Sequence, residues 1–295
     1  MRVLVLGANG QLGSDLIRAC GARSGAFEAV AVCRKDLDVS RAEEVGAALD
    51  RYEFDVLINC TSYHKTDEVE RNATQAFAIN AHAVKAIAGA CARRGAMLVH
   101  ISTDYVFDGR AGRPYRETDS PAPINVYGAS KAMGENLARM SHGRTIIARV
   151  ASLFGVAGAS GKGGNFVETM IRVGKEKGHL QVVNDITMSP TSTADVARMI
   201  LDLLEKRAEP GIYHVVNSGQ ATWYEFARQI VERAGIRAEV LPITSDRYPT
   251  AAMRPAFSVL DNSKTASVVG EIPCWADALE RYLAEKGHTD GKGGW

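Results

Sequence analysis

Short apolar runs alternate along the first half of the chain with longer stretches whose apolar positions recur every three or four residues. The runs predict strands over Arg2 to Leu6, Ala29 to Cys33, Val56 to Cys60, Met97 to Ser102 and Thr145 to Ala151. The periodic stretches predict helices over Gln11 to Cys20, Arg41 to Tyr52 (Val45 and Leu49 on one face), Asn72 to Arg94 and Tyr127 to Met140. The helix over 72–94 stops at Gly95 with two arginines in its last turn, where the helix dipole favours cations. Strands that are apolar throughout are buried on both faces. Repeated strand–helix units of this kind predict an α/β fold: a doubly wound parallel sheet with helices on both sides. Ligands on such sheets bind beyond the carboxyl ends of the strands.

The pattern loosens after residue 152. Gly155 to Gly164 reads G-V-A-G-A-S-G-K-G-G, which predicts a loop too glycine-rich to pack, either a plain surface loop or a lid. Helices are predicted at Phe166–Lys177, Thr193–Lys206, Trp223–Ala234 and Asp277 to Glu285, with strands at Gln181–Val183 and Ile212–Val216. The expectation is a main domain over 1–152, rejoined by the strand at about 212–216, and a smaller lobe over 153–286. A disordered tail is expected over 287–295.

Composition narrows the classes. A net charge of +1 gives no basic field for nucleic acid, and 46% hydrophobic with 23% charged residues is ordinary for a globular domain. Five cysteines lie scattered without C-x-x-C spacing, which predicts reduced thiols and no structural metal. The opening M-R-V-L-V-L-G reads as a core strand rather than a signal peptide, and no apolar run reaches the length of a membrane span. The cytoplasm is the expected compartment.

Two clusters carry chemistry. Gly7, Gly10 and Gly13 follow the first strand and open the first helix, around Gln11 and Leu12. The first glycine permits a tight turn, the next lets the backbone approach a pyrophosphate, and the third lets helix and strand pack closely. This predicts dinucleotide binding on a Rossmann-type sheet, with residues 1–152 as the dinucleotide-binding domain and the smaller C-terminal lobe mainly for substrate. The second strand ends in Cys33-Arg34-Lys35 rather than in an acid, so a 2′-phosphate is attracted and NADPH is preferred, with NADH left open. Asp38 and Val39 are placed to cap the adenine. Cys60, Thr61 and Ser62, after the third strand, lie where the ribose and diphosphate should pass.

The second cluster is Tyr127 and Lys131, at i and i+4 of one helix, with Ser102, Thr103 and Asp104 at the end of the fourth strand. Reduction of a ketone needs a hydride on carbon and a proton on oxygen. A lysine on the same helix face favours phenolate and is expected to lower the Tyr127 pKa, and Thr103 can donate a second hydrogen bond to the carbonyl. The seven histidines form no metal motif, and His100, within an apolar strand, reads as a core residue. Asp67, Glu68 and Glu70 read as a charge cluster at a helix start. No G-x-S-x-G elbow is present.

These residues resemble the extended short-chain dehydrogenase/reductase superfamily and, within it, the dTDP-4-dehydrorhamnose reductase family. The resemblance spans nearly the whole chain: G-A-N-G-Q-L-G at the start, T-D-E-V-E at 66–70, H-I-S-T-D-Y-V-F-D-G at 100–109 and N-V-Y-G-A-S-K at 125–131. It continues through G-N-F at 164–166, T-W-Y-E-F-A at 222–227 and M-R-P-A-F-S-V-L-D-N-S-K at 253–264. It implies reduction of the 4-keto group of a nucleotide sugar, dTDP-4-dehydro-L-rhamnose to dTDP-L-rhamnose, with Thr103, Tyr127 and Lys131 catalytic. It also implies that Asn165 and Arg254 contact the nucleotide diphosphate sugar. Ser152 stands where the family usually carries a tryptophan near the sugar, and 184–191 reads N-D-I-T-M-S-P-T where the family tends to N-D-Q-x-G-x-P-T. The particular sugar is therefore open. Some members use magnesium at a dimer contact formed by carboxylates; Asp15 and Glu285 could correspond to two of these, the third position is not clearly acidic, and magnesium is left open with no metal residue assigned. A homodimer is compatible with the family.

Two other readings stay open. A nucleotide-sugar epimerase or 4,6-dehydratase shares the fold, but a dehydratase typically reads T-D-E where this chain has Thr103-Asp104-Tyr105. A non-catalytic NADP-binding regulatory subunit shares it too, and fold alone does not separate these.

Overall fold

The computed structural model describes residues 1–158 and 164–289. Its first half runs β1 (Arg2–Leu6), α1 (Gln11–Ala22), β2 (Glu28–Val32), α2 (Ala42–Leu49), β3 (Val56–Asn59), α3 (Thr66–Val69), α4 (Ala73–Phe77), α5 (Ala83–Arg94), β4 (Met97–Thr103), α6 (Val126–Ser141) and β5 (Thr145–Val150). The second half runs β6 (Leu153–Phe154), α7 (Phe166–Lys177), β7 (His179–Val183), β8 (Thr187–Met188), β9 (Thr191–Ser192), α8 (Thr193–Glu205), β10 (Gly211–His214), β11 (Ala221–Thr222), α9 (Trp223–Arg233), β12 (Glu239–Ile243), α10 (Ser263–Val269) and α11 (Trp275–Glu285).

Six strands form one parallel sheet in the order β10-β5-β4-β3-β1-β2. The α/β doubly wound fold is thus as the apolar runs predict. Strand alternation splits β1 between two cores. Val3 and Val5 pack with Leu12, Leu16 and the α8 residues Val196 and Ile200, while Leu4 and Leu6 pack with Val45, Leu49, Val84 and Ile87 on the other face. A third core holds Phe154 together with Val167 and Ile171 of α7, Phe226 and Ile230 of α9, and Leu279 and Leu283 of α11. The strand order reverses direction between β1 and β3. A crevice opens at such a switch point beyond the strand ends, and it fixes where a ligand can lie.

Several expectations differ from what is found. The stretch read as one helix over 72–94 contains a π-helical turn, Ala78–His82, between α4 and α5. That turn brings Asn80 inward, where its amide donates to Ser130 Oγ (3.0 Å) and its carbonyl accepts from the Tyr63 N–H (2.9 Å). The early part of the glycine stretch packs rather than loops loosely: Gly155 is buried, and a Cβ there would fall 1.8 Å from Thr193 Oγ1. Residues 159–163 of the expected lid lie outside the described residues. Of the expected disordered tail, 287–289 are placed, with His288 Nε2 3.0 Å from the Glu168 carboxylate; residues 290–295 lie outside the described residues. β12 and α10 were not expected from the pattern.

Helix α6 is pinned at two glycines. A Cβ on Gly128 would lie 2.0 Å from Tyr105 O, and one on Gly134 would lie 2.1 Å from Asn80 O. Gly134→Ala should raise helix propensity yet force backbone apart. The expected result is a net loss of about 1–3 kcal/mol in unfolding free energy, read from the denaturant midpoint. An unchanged or higher midpoint would show that α6 and the π turn are not in close contact.

Candidate active site

The crevice is built by close backbone approach. β1 ends in Gly7 (φ 75°), whose Cβ, if present, would stand 3.3 Å from the Cys60 carbonyl carbon after β3. A Cβ on Gly13 would stand 2.2 Å from Gly7 O, so the turn tolerates no side chain there. α1 starts at Gly10 with no side-chain cap, which leaves first-turn N–H groups for phosphate oxygens. These groups border a cavity of about 500 Å³. Gly7, Gly10, Gln11, Leu12, Gly13, Arg34, Asp38, Val39, Cys60, Thr61 and Ser62 line it from one side. Ser102, Thr103, Asp104, Tyr127, Lys131 and Ser152 line the other.

Asn125 sets the start of α6, its side chain accepting from the Gly128 N–H at 2.7 Å, and Glu70 accepts from the Val126 N–H at 2.8 Å. One turn of helix then separates Tyr127 from Lys131 on the cavity side. The Lys131 side chain is only 2% exposed, and its amine donates to Ile101 O at 2.6 Å. Burial lowers its pKa to about 8, against the raising effect of Glu135 and Cys60. Tyr127 behaves otherwise than the helix spacing predicts. Burial, then the Asp104 charge, pushes its phenol up to about 12, with Ser62 and Thr103 pulling the other way. Lys131 does not offset this, because its amine is turned to the end of β4. At neutral pH the phenol is therefore fully protonated, which suits a proton donor.

Thr103 is held by its neighbours: its hydroxyl donates to Asp104 Oδ1 (2.9 Å) and accepts from the Tyr105 N–H (3.2 Å). Asp104 is 3% exposed, and burial raises its carboxyl to about 6 despite Ser258 and Thr103. Beneath it, Glu135 forms a buried pair with Arg149 through two bonds (2.9 and 2.7 Å) and accepts from Ser102 Oγ.

Two residues carried over by resemblance do not reach the cavity. Asn165 caps α7: its carbonyl accepts from the Glu168 N–H, and its amide donates to Gly155 O (3.0 Å) and Tyr282 Oη (3.1 Å) and lies 3.5 Å from Gln11 Oε1, so it stands behind the cavity-lining Gln11. Arg254 pairs with Asp67 at 2.7 Å and lies over the Tyr105 ring, one residue behind the cavity wall. Lys35 is likewise absent from the wall, whereas Arg34 reaches it and is tied to Asp38 at 3.2 Å. Missed residues include Trp223, Tyr105 and Ile79. Trp223 lies in the T-W-Y-E-F-A motif, which was a usable signal. Tyr105 stands edge-on to Tyr127 with ring centres 6.0 Å apart, and nothing in the sequence pattern indicates that contact. Ser152 carries a left-handed backbone (φ 42°), an uncommon state for a non-glycine residue, beside the cavity.

Comparison with known proteins gives the chain's family. The family model described as RmlD substrate binding domain matches residues 1–287. The chain belongs to the dTDP-4-dehydrorhamnose reductase family. It is 37% identical to the spore coat polysaccharide biosynthesis protein SpsK of Bacillus subtilis (strain 168), over 97% of this chain and 98% of that one. A crystal structure of a dTDP-4-dehydrorhamnose reductase from Clostridium acetobutylicum superposes with a TM-score of 0.91 at 35% identity, covering 97% of this chain and 100% of that one. The reductase of Bacillus anthracis str. Ames, solved in complex with NADP, gives 0.89 at 37% identity over 96% and 99%.

The residues fit a dinucleotide: the glycine cradle leaves room only for backbone, the α1 N-terminus is uncapped, and Arg34 stands at the cavity rim. They do not fit the family's carboxylate metal contact. Arg18 bonds both Asp15 and Glu285, and Thr193 donates to Asp15, so a guanidinium already engages both carboxylates. Among the described residues no group of three or more His, Cys, Asp or Glu could hold a metal ion. Among those residues, too, no helix is long and apolar enough to cross a membrane.

Arg34→Ala is expected to raise the KM for NADPH roughly tenfold, about 1.4 kcal/mol, and to leave the KM for NADH nearly unchanged. Equal effects on both cofactors would remove Arg34 from 2′-phosphate recognition.

Proposed function

We propose that the chain is an NADPH-dependent ketoreductase acting on C4 of a nucleoside-diphosphate deoxysugar, with dTDP-4-dehydro-L-rhamnose as the preferred substrate and dTDP-L-rhamnose as product. The observation that carries this is the shared cavity: the Gly7–Gly13 turn on one wall, Thr103, Tyr127 and Lys131 on the other. The names of the similar reductases support the substrate class. NADPH, when bound, supplies the hydride that the carbonyl carbon receives.

The chain's own residues do the rest. Tyr127 gives its phenol proton to the carbonyl oxygen, so that ketone, hydride and proton balance to the alcohol. Lys131 holds the cofactor ribose and, once charged, stabilises the phenolate left behind. Thr103 turns its hydroxyl from Asp104 to the carbonyl and orients it. Ser102, Asp104 and Ser152 are proposed to meet the sugar hydroxyls, and Ser152, lacking the bulk of the family's tryptophan, is where the sugar preference would be set. Arg254, held by Asp67, lies in reach of a diphosphate only after that ion pair opens. The five cysteines are free thiols, which accords with a cytoplasmic protein.

The test is loss of NADPH absorbance with a panel of 4-keto sugar nucleotides. Net oxidation with the dTDP-4-dehydro sugar is expected, and Tyr127→Phe should cut kcat by about 100-fold or more with little change in NADPH affinity. No net NADPH consumption with any member of the panel, or a Tyr127→Phe rate equal to wild type, would contradict the proposal.

A further inference from the structure

The lysine amine is held by a chain of hydrogen bonds whose polarity is fixed from its far end. The Thr61 backbone N–H, which can only donate, lies 3.0 Å from Asn59 Oδ1, and Thr61 Oγ1 donates to the same oxygen at 2.6 Å. This fixes the orientation of the Asn59 amide, so its Nδ2 is what faces His100 Nδ1, at 3.2 Å. Nδ1 must then accept. His100 is completely buried, and burial holds it well below the usual histidine range, hence neutral. A neutral imidazole accepting at Nδ1 carries its proton on Nε2. That N–H points at Lys131 Nζ, 3.4 Å away. An ammonium there would meet a donor with a donor. A neutral amine accepts from His100 with its lone pair and still donates to Ile101 O.

We propose that His100 is a positioning residue that donates to Lys131 Nζ and so favours its neutral amine in the free protein, which couples capture of Lys131 by the cofactor's ribose to proton uptake. This rests on the cofactor reading above and extends it to what the site does before turnover. The surrounding groups permit it. Glu135, on the same helix, favours the ammonium, but its carboxylate is committed to Arg149 of β5 and to Ser102 of β4. Cys60, after β3, is a thiol pushed up to about 12 by burial and therefore uncharged at neutral pH. Tyr127 is a neutral phenol, and Asp104, on the same cavity wall, is engaged by Thr103. With Lys131 lowered to about 8, the amine form dominates above that pH in the free protein. The ammonium has three donors to spend on ribose hydroxyls and on Tyr127 once it leaves His100. The proton it gains is the one that later favours phenolate.

Two measurements test this. Imidazole 15N NMR of the free protein should show His100 as the Nε2–H tautomer; an Nδ1–H tautomer overturns the proposal without any mutation. NADPH titration calorimetry in phosphate and in Tris, whose ionisation enthalpies differ, should give little proton uptake near pH 7 and an uptake that rises toward one proton near pH 9. His100→Gln, which can accept from Asn59 and donate to Lys131, should keep that rise, whereas His100→Leu should lose at least half of it. Binding without proton uptake at pH 9, or full uptake in His100→Leu, overturns the role of His100 and leaves the cofactor reading intact. Failure of NADPH to bind would strike the cofactor reading instead, and the tautomer would still decide the His100 arrangement. Should His100→Leu not fold, the wild-type uptake and its tautomer remain decisive.

Discussion

A lysine amine sealed at the end of a central strand is the constraint around which the site is arranged. Lys131 is 98% covered, and a buried amine needs either a carbonyl or a counter-charge. Ile101 O supplies the first, and Glu135 the second at a distance, itself balanced by Arg149. To reach that carbonyl, α6 must lie close over β4, and Gly128 and Gly134 let it settle directly on the backbone of Tyr105 and Asn80. The same approach delivers Tyr127 one turn earlier to the cavity wall. Fold and chemistry therefore share one contact, between α6 and the end of β4.

The opposite wall follows from sheet topology. Strand order reverses between β1 and β3, so their ends diverge and leave a crevice. Gly7 and Gly13 allow the β1–α1 turn to fold tightly against Cys60 and Thr61, with helical N–H groups facing the same space as the phenol. The first wall suits anionic phosphates and the second suits proton transfer. Arg18 bridges Asp15 and Glu285 outside this cavity and so neutralises both carboxylates.

The sheet was legible because its strands are continuous apolar runs, and the glycine turn and the Tyr127–Lys131 pair because fixed spacings place them. The π turn at Ala78–His82 was not, since one extra residue per turn leaves an alanine-rich periodicity almost unchanged. β12 was missed because Glu239, Leu241 and Pro242 are largely solvent-facing and it pairs with the short β7. The buried polar side chains were illegible for another reason. His100 and Arg149 sit within apolar strands, and only tertiary contact shows that one faces Lys131 and the other Glu135. Spacing also predicts that lysine and phenol share a helix face, but not that the lysine turns away to Ile101. Asn165 and Arg254, assigned by resemblance alone, are placed as a helix cap and as the partner of Asp67.

Lys131→Met is the most direct test of this arrangement, because fold and function should respond in opposite directions. A lysine whose folded-state pKa lies below its unfolded value costs stability in full below about pH 8, where both states carry the proton but the folded one carries it buried, and the cost fades as pH rises toward the unfolded value. Replacing it with an uncharged side chain of similar length should raise the unfolding free energy at pH 7 by about 1–3 kcal/mol, while NADPH affinity falls and kcat drops about 100-fold or more. A variant that binds NADPH and turns over like wild type, or one that is less stable, would contradict the placement of a strained, functional amine at the end of β4.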